Sequence, residues 1–290
     1  MSAVLDAKPR RGGLEWLAVI VGLLVLYVPT FYDVARALWP QDDLAHGPIV
    51  LAVIVWLFWD KRQVLIAAPA RTAPLAGFTL LVLGLMVYGV GRSQDIMSFQ
   101  VGALAPILAG VLLVARGWPA VRALWFALLF IVFLVPLPGF FVDALTLPLK
   151  EQVSAAAGHL LYIAGYPIAR TGVVLSIGQY QLLVADACSG LHSMFALAAL
   201  GLLYLYLMRY QSWLHNALLL AAILPVAFAA NIARVMIVVL LTYHFGDAAG
   251  QSFVHGLSGM VVFIIALVIL FSFDALLRFA GGFLVRMRYA

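Results

Sequence analysis

Eight long apolar runs dominate the chain, at 14–30, 47–59, 75–90, 101–114, 121–136, 188–208, 214–243 and 254–273. A helix that crosses the hydrocarbon core of a bilayer needs about 20 mostly apolar residues, with a range of roughly 17–25. Inside lipid every backbone N–H and C=O must find its partner within the protein, so runs of this kind become helices. The second and fourth runs are short, and their ends are the least determined by sequence. The composition agrees: 66% of the residues are hydrophobic and 10% charged, with a mean hydropathy of +1.10. A soluble domain is about 45–50% apolar and about 25% charged. That excludes a soluble globular enzyme, and also a disordered chain, which needs the opposite balance. The expected fold class is all-α, a polytopic membrane protein of about eight transmembrane helices forming one domain over 1–290.

The first run is expected to remain as a helix rather than be cleaved. Lys8, Arg10 and Arg11 precede it, and Ala35-Arg36-Ala37 resembles a small-residue cleavage site. The apolar run is nonetheless too long for a signal-peptide core, and the alanine pair lies well beyond its end. Lys and Arg are retained on the cytoplasmic side of a membrane protein. With the N-terminus inside and eight alternating spans, the cytoplasmic segments hold Lys8, Arg10, Arg11, Lys61, Arg62, Arg71, Arg116, Arg122, Arg209, Arg278, Arg286 and Arg288. That is 12 of the 17 basic residues. Arg36, Arg92, Lys150 and Arg170 fall outside. Both termini are therefore expected in the cytoplasm. The net charge of +5 reads mainly as a topology signal, and no nucleic-acid partner is expected.

Residues 137–186 form the one long stretch without a strong span, and the topology puts them on the outer face. Pro136-Leu137-Pro138-Gly139 stops the fifth helix. A helix over 145–164 carries Lys150, Glu151, Gln152, Ser154 and His159 among its apolar residues, a pattern of the membrane surface or of a groove wall. After Gly165-Tyr166-Pro167, two β-prone runs at 172–177 and 180–184 flank Gly178-Gln179 and resemble a hairpin. The segment reads either as a structural cap or as a platform leading to Cys188.

Ionisable residues within spans are costly and draw attention as functional candidates. Cys188, the single cysteine, opens the sixth run. Arg234 lies in the outer half of the seventh, and His255 is at the start of the eighth. The topology brings all three toward one depth on the outer side. A helix N-terminus and a nearby cation both favour a thiolate, the nucleophilic form of cysteine. His255 suits proton transfer during acyl transfer. Arg234 suits stabilisation of an oxyanion or of the thiolate.

Other readings stay open on these residues. Cys188 suits packing, Arg234 an ion pair with Asp186 or Asp247, and His255 a helix cap. His192, one turn after Cys188, is the rival base. His46, His244 and His255 give no metal-site spacing, so no metal and no cofactor is expected. His159 and His215 read as surface or interface residues. Gly256-Leu257-Ser258-Gly259 matches the serine motif of intramembrane rhomboid proteases, but no histidine follows it; close helix packing explains the glycines better. The competing class is a transporter or polymer-export subunit whose polar residues line a pathway.

Ala187-Cys188-Ser189-Gly190-Leu191, then Asn231-Ile232-Ala233-Arg234, then His255-Gly256, at the outer ends of three successive spans, resemble the exosortases. His46-Gly47 and Pro136-Leu137-Pro138 resemble that family's pattern too, and the similarity extends over essentially the whole chain. The resemblance implies a bacterial inner-membrane cysteine transpeptidase or protease with its active site facing the periplasm, associated with exopolysaccharide gene clusters. Its implied substrates are secreted proteins with a C-terminal Pro-Glu-Pro signal, a spanning helix and a basic tail (the PEP-CTERM signal), met within the lipid. By motif, Cys188 is the nucleophile, His255 the acid/base and Arg234 the oxyanion or thiolate partner. His46, Asn231, His192 and Arg170 are the expected substrate contacts, with Arg170 or Lys150 meeting the signal's glutamate. Leu191-His192-Ser193-Met194 resembles the B subgroup. Some relatives carry a further C-terminal domain, which is not expected here.

Overall fold

The computed structural model describes residues 12–39, 46–67, 72–136, 139–183, 190–210, 212–256 and 258–288. They fall into two compact units, residues 1–41 with 47–136, and residues 42–46 with 137–290.

The first unit contains α1 (Gly12–Ala37), α2 (Gly47–Asp60), α3 (Arg62–Ala67), α4 (Pro74–Ser93), α5 (Met97–Gly102), α6 (Leu104–Ala115), α7 (Trp118–Ala123) and α8 (Trp125–Phe130), then a 3-10 turn at Ile131–Leu134. Glycines let α4 approach its neighbours backbone to backbone. A Cβ at Gly77 would sit 3.0 Å from the Gly110 carbonyl, and one at Gly110 would sit 2.8 Å from the Leu81 nitrogen. Gly84 and Gly91 continue the same face at seven-residue spacing, against Ile107 and Gln100. Small residues at a helix interface are how helices pack closely where lipid supplies no hydrophobic drive. The fourth run is two helices, broken at Ala103. Pro106 has no N–H for the carbonyl four residues earlier, at Gly102, where α5 ends. The fifth run is likewise not one helix: α7, α8 and the 3-10 turn share it, and it stops before Pro136.

The outward faces are apolar. Leu17, Ile20, Leu24, Val25 and Val28 of α1 are each more than half exposed, as are Phe78, Val82, Leu83 and Met86 of α4. So much exposed apolar surface does not persist in water. The helical stretches Trp16–Ala37, Pro74–Ser93, Met97–Ala115 and Trp213–Phe245 are long and apolar enough to cross a membrane, and Gly47–Asp60, Trp125–Leu134 and Phe195–Met208 are shorter apolar stretches. The protein is a helical, multi-pass membrane protein. The polar side chains buried among α1, α4 and α5 bond to one another. Thr30 Oγ1 is 3.0 Å from Tyr88 Oη. Tyr88 Oη donates to the Leu26 carbonyl at 2.6 Å, and Gln100 Nε2 donates to the Gly91 carbonyl at 3.2 Å.

The second unit contains α9 (Gly139–Ile163), strands β1 (Ile168–Thr171), β2 (Val174–Ile177) and β3 (Tyr180–Leu183), then α10 (Gly190–Met208), α11 (Trp213–Phe245), α12 (Asp247–Gly256) and α13 (Ser258–Arg288). α9 begins six residues before the expected start and accommodates Pro148. Its Val153, Ala157 and Leu161 are buried against Leu175 and Ile177 of β2 and Val235 and Val239 of α11. His159, Glu151 and Gln152 face outward, whereas Ser154 is buried, its Oγ donating to the Gly172 carbonyl at 3.3 Å.

The strands form an antiparallel meander in the order β1-β2-β3. The expected hairpin is the β2-β3 half of it, and β1 is additional. Two-residue turns join the strands, Gly172-Val173 pairing Thr171 with Val174 and Gly178-Gln179 pairing Ile177 with Tyr180. Both glycines have positive φ, +60° and +56°, as the first central position of a type II′ turn requires.

Candidate active site

α11 is the post around which the second unit is built. Leu219, Ile223, Val226, Ala227, Ala230, Asn231, Arg234, Val235, Val238, Val239 and Thr242 are buried along its length, at spacings of three and four that leave little of the inner face open. Asn231 and Arg234 are 5% and 4% exposed. One turn separates them, so they share a face. A guanidinium in the middle of a span costs about 2.5–3.5 kcal/mol on insertion scales.

Three contacts fix the register of the neighbouring helices on this post. Gly201 of α10 lies against Ile223; a Cβ there would come within 2.8 Å of Ile223 Cγ1. α10 starts eleven residues before Gly201, and eleven residues beyond Ile223 is Arg234. In an antiparallel pair the N-terminus of α10 therefore reaches the level of Arg234. The second contact is Gly250 of α12, where a Cβ would run into Thr242 Oγ1 and lie 3.3 Å from Thr242 Cβ. Six residues further is Gly256, and six residues back from Thr242 is Met236. The third is the pair Asp274–His215, 2.8 Å apart. Counting back sixteen residues from Asp274 reaches Ser258; sixteen residues on from His215 is Asn231. At about 1.5 Å per residue, Gly190, Gly256 and Ser258 all come within a turn or so of Arg234.

His255 lies eight residues into α12, which begins at Asp247, seven residues before the apolar run at 254–273. His192 is in the first turn of α10. Cys188 lies outside the described residues, two positions before α10. His46 is the residue before α2, is half-buried and is counted with the second unit. Arg170 is on exposed β1, where its Nη1 donates to the Gly172 carbonyl at 3.0 Å. His244, near the end of α11, is 3.4 Å from Tyr166 Oη. Among the described residues no cluster of His, Cys, Asp and Glu has the makings of a metal site.

The family model for transmembrane exosortases matches residues 38–272. The chain belongs to the transmembrane exosortase family. The match is to the family as a whole; no curated protein and no solved structure matches the chain. Exosortases are transpeptidase- or protease-like, and family membership supports a membrane transpeptidase role in general. It also implies protein substrates that carry sorting signals.

One polar centre of this exosortase is not legible in the sequence. Asp274 of α13 is completely buried. Its Oδ2 accepts from Tyr204 Oη at 2.8 Å and Tyr210 Oη at 2.9 Å. Oδ1 meets His215 Nε2, and Arg278 Nε lies 3.1 Å from Oδ2. His215, expected as a surface or interface residue, thus ties α11 to α13. The available signal was Asp274 at the end of an apolar run with Arg278 four residues on. This joint is nineteen residues along α11 from Arg234, about 28 Å, and belongs to the scaffold.

Proposed function

We propose that this exosortase cleaves the C-terminal PEP-CTERM sorting signal of secreted proteins at the periplasmic face of the bacterial inner membrane, through an acyl-enzyme on Cys188. The observation that carries the reading is that the first turn of α10, two residues beyond Cys188, and the stretch of α12 that holds His255 both come to the level of the buried Arg234. A helix that starts beside Cys188 brings backbone N–H groups and the positive end of its dipole to the thiol. Both favour a thiolate.

In the first half-reaction the Cys188 thiolate attacks the carbonyl carbon of the scissile peptide bond. The oxyanion is held by Arg234 and the N–H groups of α10. The C–N bond breaks, the leaving amine takes a proton from His255, and the membrane anchor departs, leaving a thioester. In the second half an acceptor gives its proton to His255 and attacks the thioester carbonyl, and the thiolate leaves. Water as acceptor makes the enzyme a protease; an amine or a surface polymer makes it a transpeptidase. Asn231, His192 and His46 are assigned to substrate contact near the reacting bond. Arg170 is assigned to the signal's glutamate, further out on the sheet.

The test is co-expression with a tagged PEP-CTERM protein from the same cell, following its size. The wild-type chain is expected to yield a shortened product, and Cys188→Ala and Cys188→Ser to yield none while accumulating normally in the membrane. A substrate processed equally by Cys188→Ala overturns the acyl-enzyme. If the Cys188→Ser variant keeps its cellular function and no substrate is cut by any form, the transporter class is the better reading.

A further inference from the structure

The meander has two edges, and they differ. In a two-residue hairpin the residues flanking the turn exchange both backbone hydrogen bonds, and the pattern then alternates along the ladder. Ile177 pairs with Tyr180 and Leu175 with Leu182. The N–H and C=O of Tyr180 and Leu182 therefore point to β2, and those of Gln181 and Leu183 point away from it. Gln181 and Leu183 are the exposed residues of β3, Leu183 by 41%. Tyr180 and Leu182 instead pack against the buried cluster of α9, β2 and α11. Among the described residues no further strand pairs with this edge.

Exposed edges are normally guarded by a charge, a proline, a bulge or a covering element. β1 has such a guard: Arg170 stands on it, and α9 packs beside it. β3 reads Tyr-Gln-Leu-Leu, with neither charge nor proline, and its ladder to β2 is regular. Its position is also directed. The turn before it lies near Tyr243, and the Tyr180 hydroxyl near Gly246, at the end of α11. From there the strand runs toward α10, whose first turn is level with Arg234. Four residues of sequence lie between Leu183 and Cys188.

We propose that the outer edge of β3, through the main chain of Gln181 and Leu183, receives an extended stretch of the protein substrate as a fourth strand. This rests on the reading above that the substrate is a polypeptide cut near Cys188. Strand addition supplies affinity through the main chain and leaves selectivity to alternate side chains. It also holds the substrate extended, with its amide bonds presented to a nucleophile a few residues further along. A helical anchor is not bound this way; the occupant is the unfolded stretch between the substrate's folded part and its membrane anchor.

Cys188→Ala removes the single cysteine, so a new one at Gln181 or Leu183 reports alone. We would oxidise membranes containing Cys188→Ala/Leu183→Cys and a tagged PEP-CTERM substrate whose own single cysteine is moved residue by residue through the stretch before its anchor. Disulfide-linked product is expected at every second substrate position, the period of a strand. No heterodimer, or a yield without alternation, overturns the proposal. A disulfide only between two copies of the exosortase also overturns it and makes the edge a self-association surface. In a second arm Gln181→Pro, with Cys188 present, removes the outward N–H and no bond to β2. Loss of that hydrogen bond is expected to slow processing about three- to tenfold, at unchanged membrane accumulation; wild-type speed overturns the proposal. Wild-type processing, measured alongside, separates the two levels. Cleavage by the wild type without alternation sinks only the strand; absence of Cys188-dependent cleavage sinks the functional reading beneath it.

Discussion

Gly250→Ala is the perturbation that most directly couples the scaffold to the chemistry. Gly250 is buried where α12 meets α11, and an added Cβ would run into Thr242 Oγ1 and sit 3.3 Å from Thr242 Cβ. Thr242 is itself fully buried, and its β-branched side chain has few rotamers to escape into. Two effects oppose each other. Alanine in place of glycine within a helix gains about 0.5–1 kcal/mol. Overpacking a close contact costs about 1–3 kcal/mol. The clash wins, for a net loss of up to about 2 kcal/mol, or a small outward shift of α12. A shift moves His255, one and a half turns further along the same helix, relative to Arg234. Misplacement of about 1 Å is enough to cost about a hundredfold in rate, so processing should fall much more than stability does. Thr242→Ala removes the obstacle and should restore processing in the double variant, which also keeps the gain in helix propensity. Thermal unfolding in detergent and the rate of substrate shortening, measured on all four chains of the cycle, give the coupling. Additive single effects, or a Gly250→Ala enzyme with wild-type rate, would refute the reasoning that this contact seats His255.

Two further predictions concern the scaffold and its orientation. Asp274→Ala leaves Tyr204, Tyr210 and His215 facing a cavity without their shared acceptor and should cost about 3–5 kcal/mol. Asp274→Asn keeps one acceptor oxygen and should cost less, and equal unfolding of both variants and wild type would remove the joint from the fold's energetics; Arg278, largely exposed, is expected to contribute little. Labelling the single thiol with a membrane-impermeant reagent in intact spheroplasts should modify Cys188 from the outside, whereas modification only after lysis would invert the topology.

The long runs announced themselves because lipid imposes one requirement on every residue, and Pro74–Ser93 and Trp213–Phe245 follow the expected stretches closely. What composition hides is where a run is interrupted. The break at Ala103 is written in Pro106, five residues into the apolar stretch at 101–114. Gly172 reads in the sequence as the start of a strand, although Gly172-Val173 between Ile168–Thr171 and Val174–Ile177 is the same Gly-X turn as Gly178-Gln179. Asp274 is not legible in the sequence because its partners Tyr204, Tyr210 and His215 come from other elements and only packing unites them. For the site, Arg234 and His255 drew attention by residue type and topology, but their relative height needed Gly250 against Thr242.

That height has an electrostatic consequence under the proposed mechanism. A helix whose first turn lies beside Cys188 brings the positive end of its dipole to the level of Arg234. The dipole and the guanidinium both suit an anion, first a thiolate and then an oxyanion. Substituting Arg234 by Lys keeps the charge but loses the planar fork. Processing should therefore fall while membrane accumulation holds, and equal rates for the two residues would reduce Arg234 to a point charge.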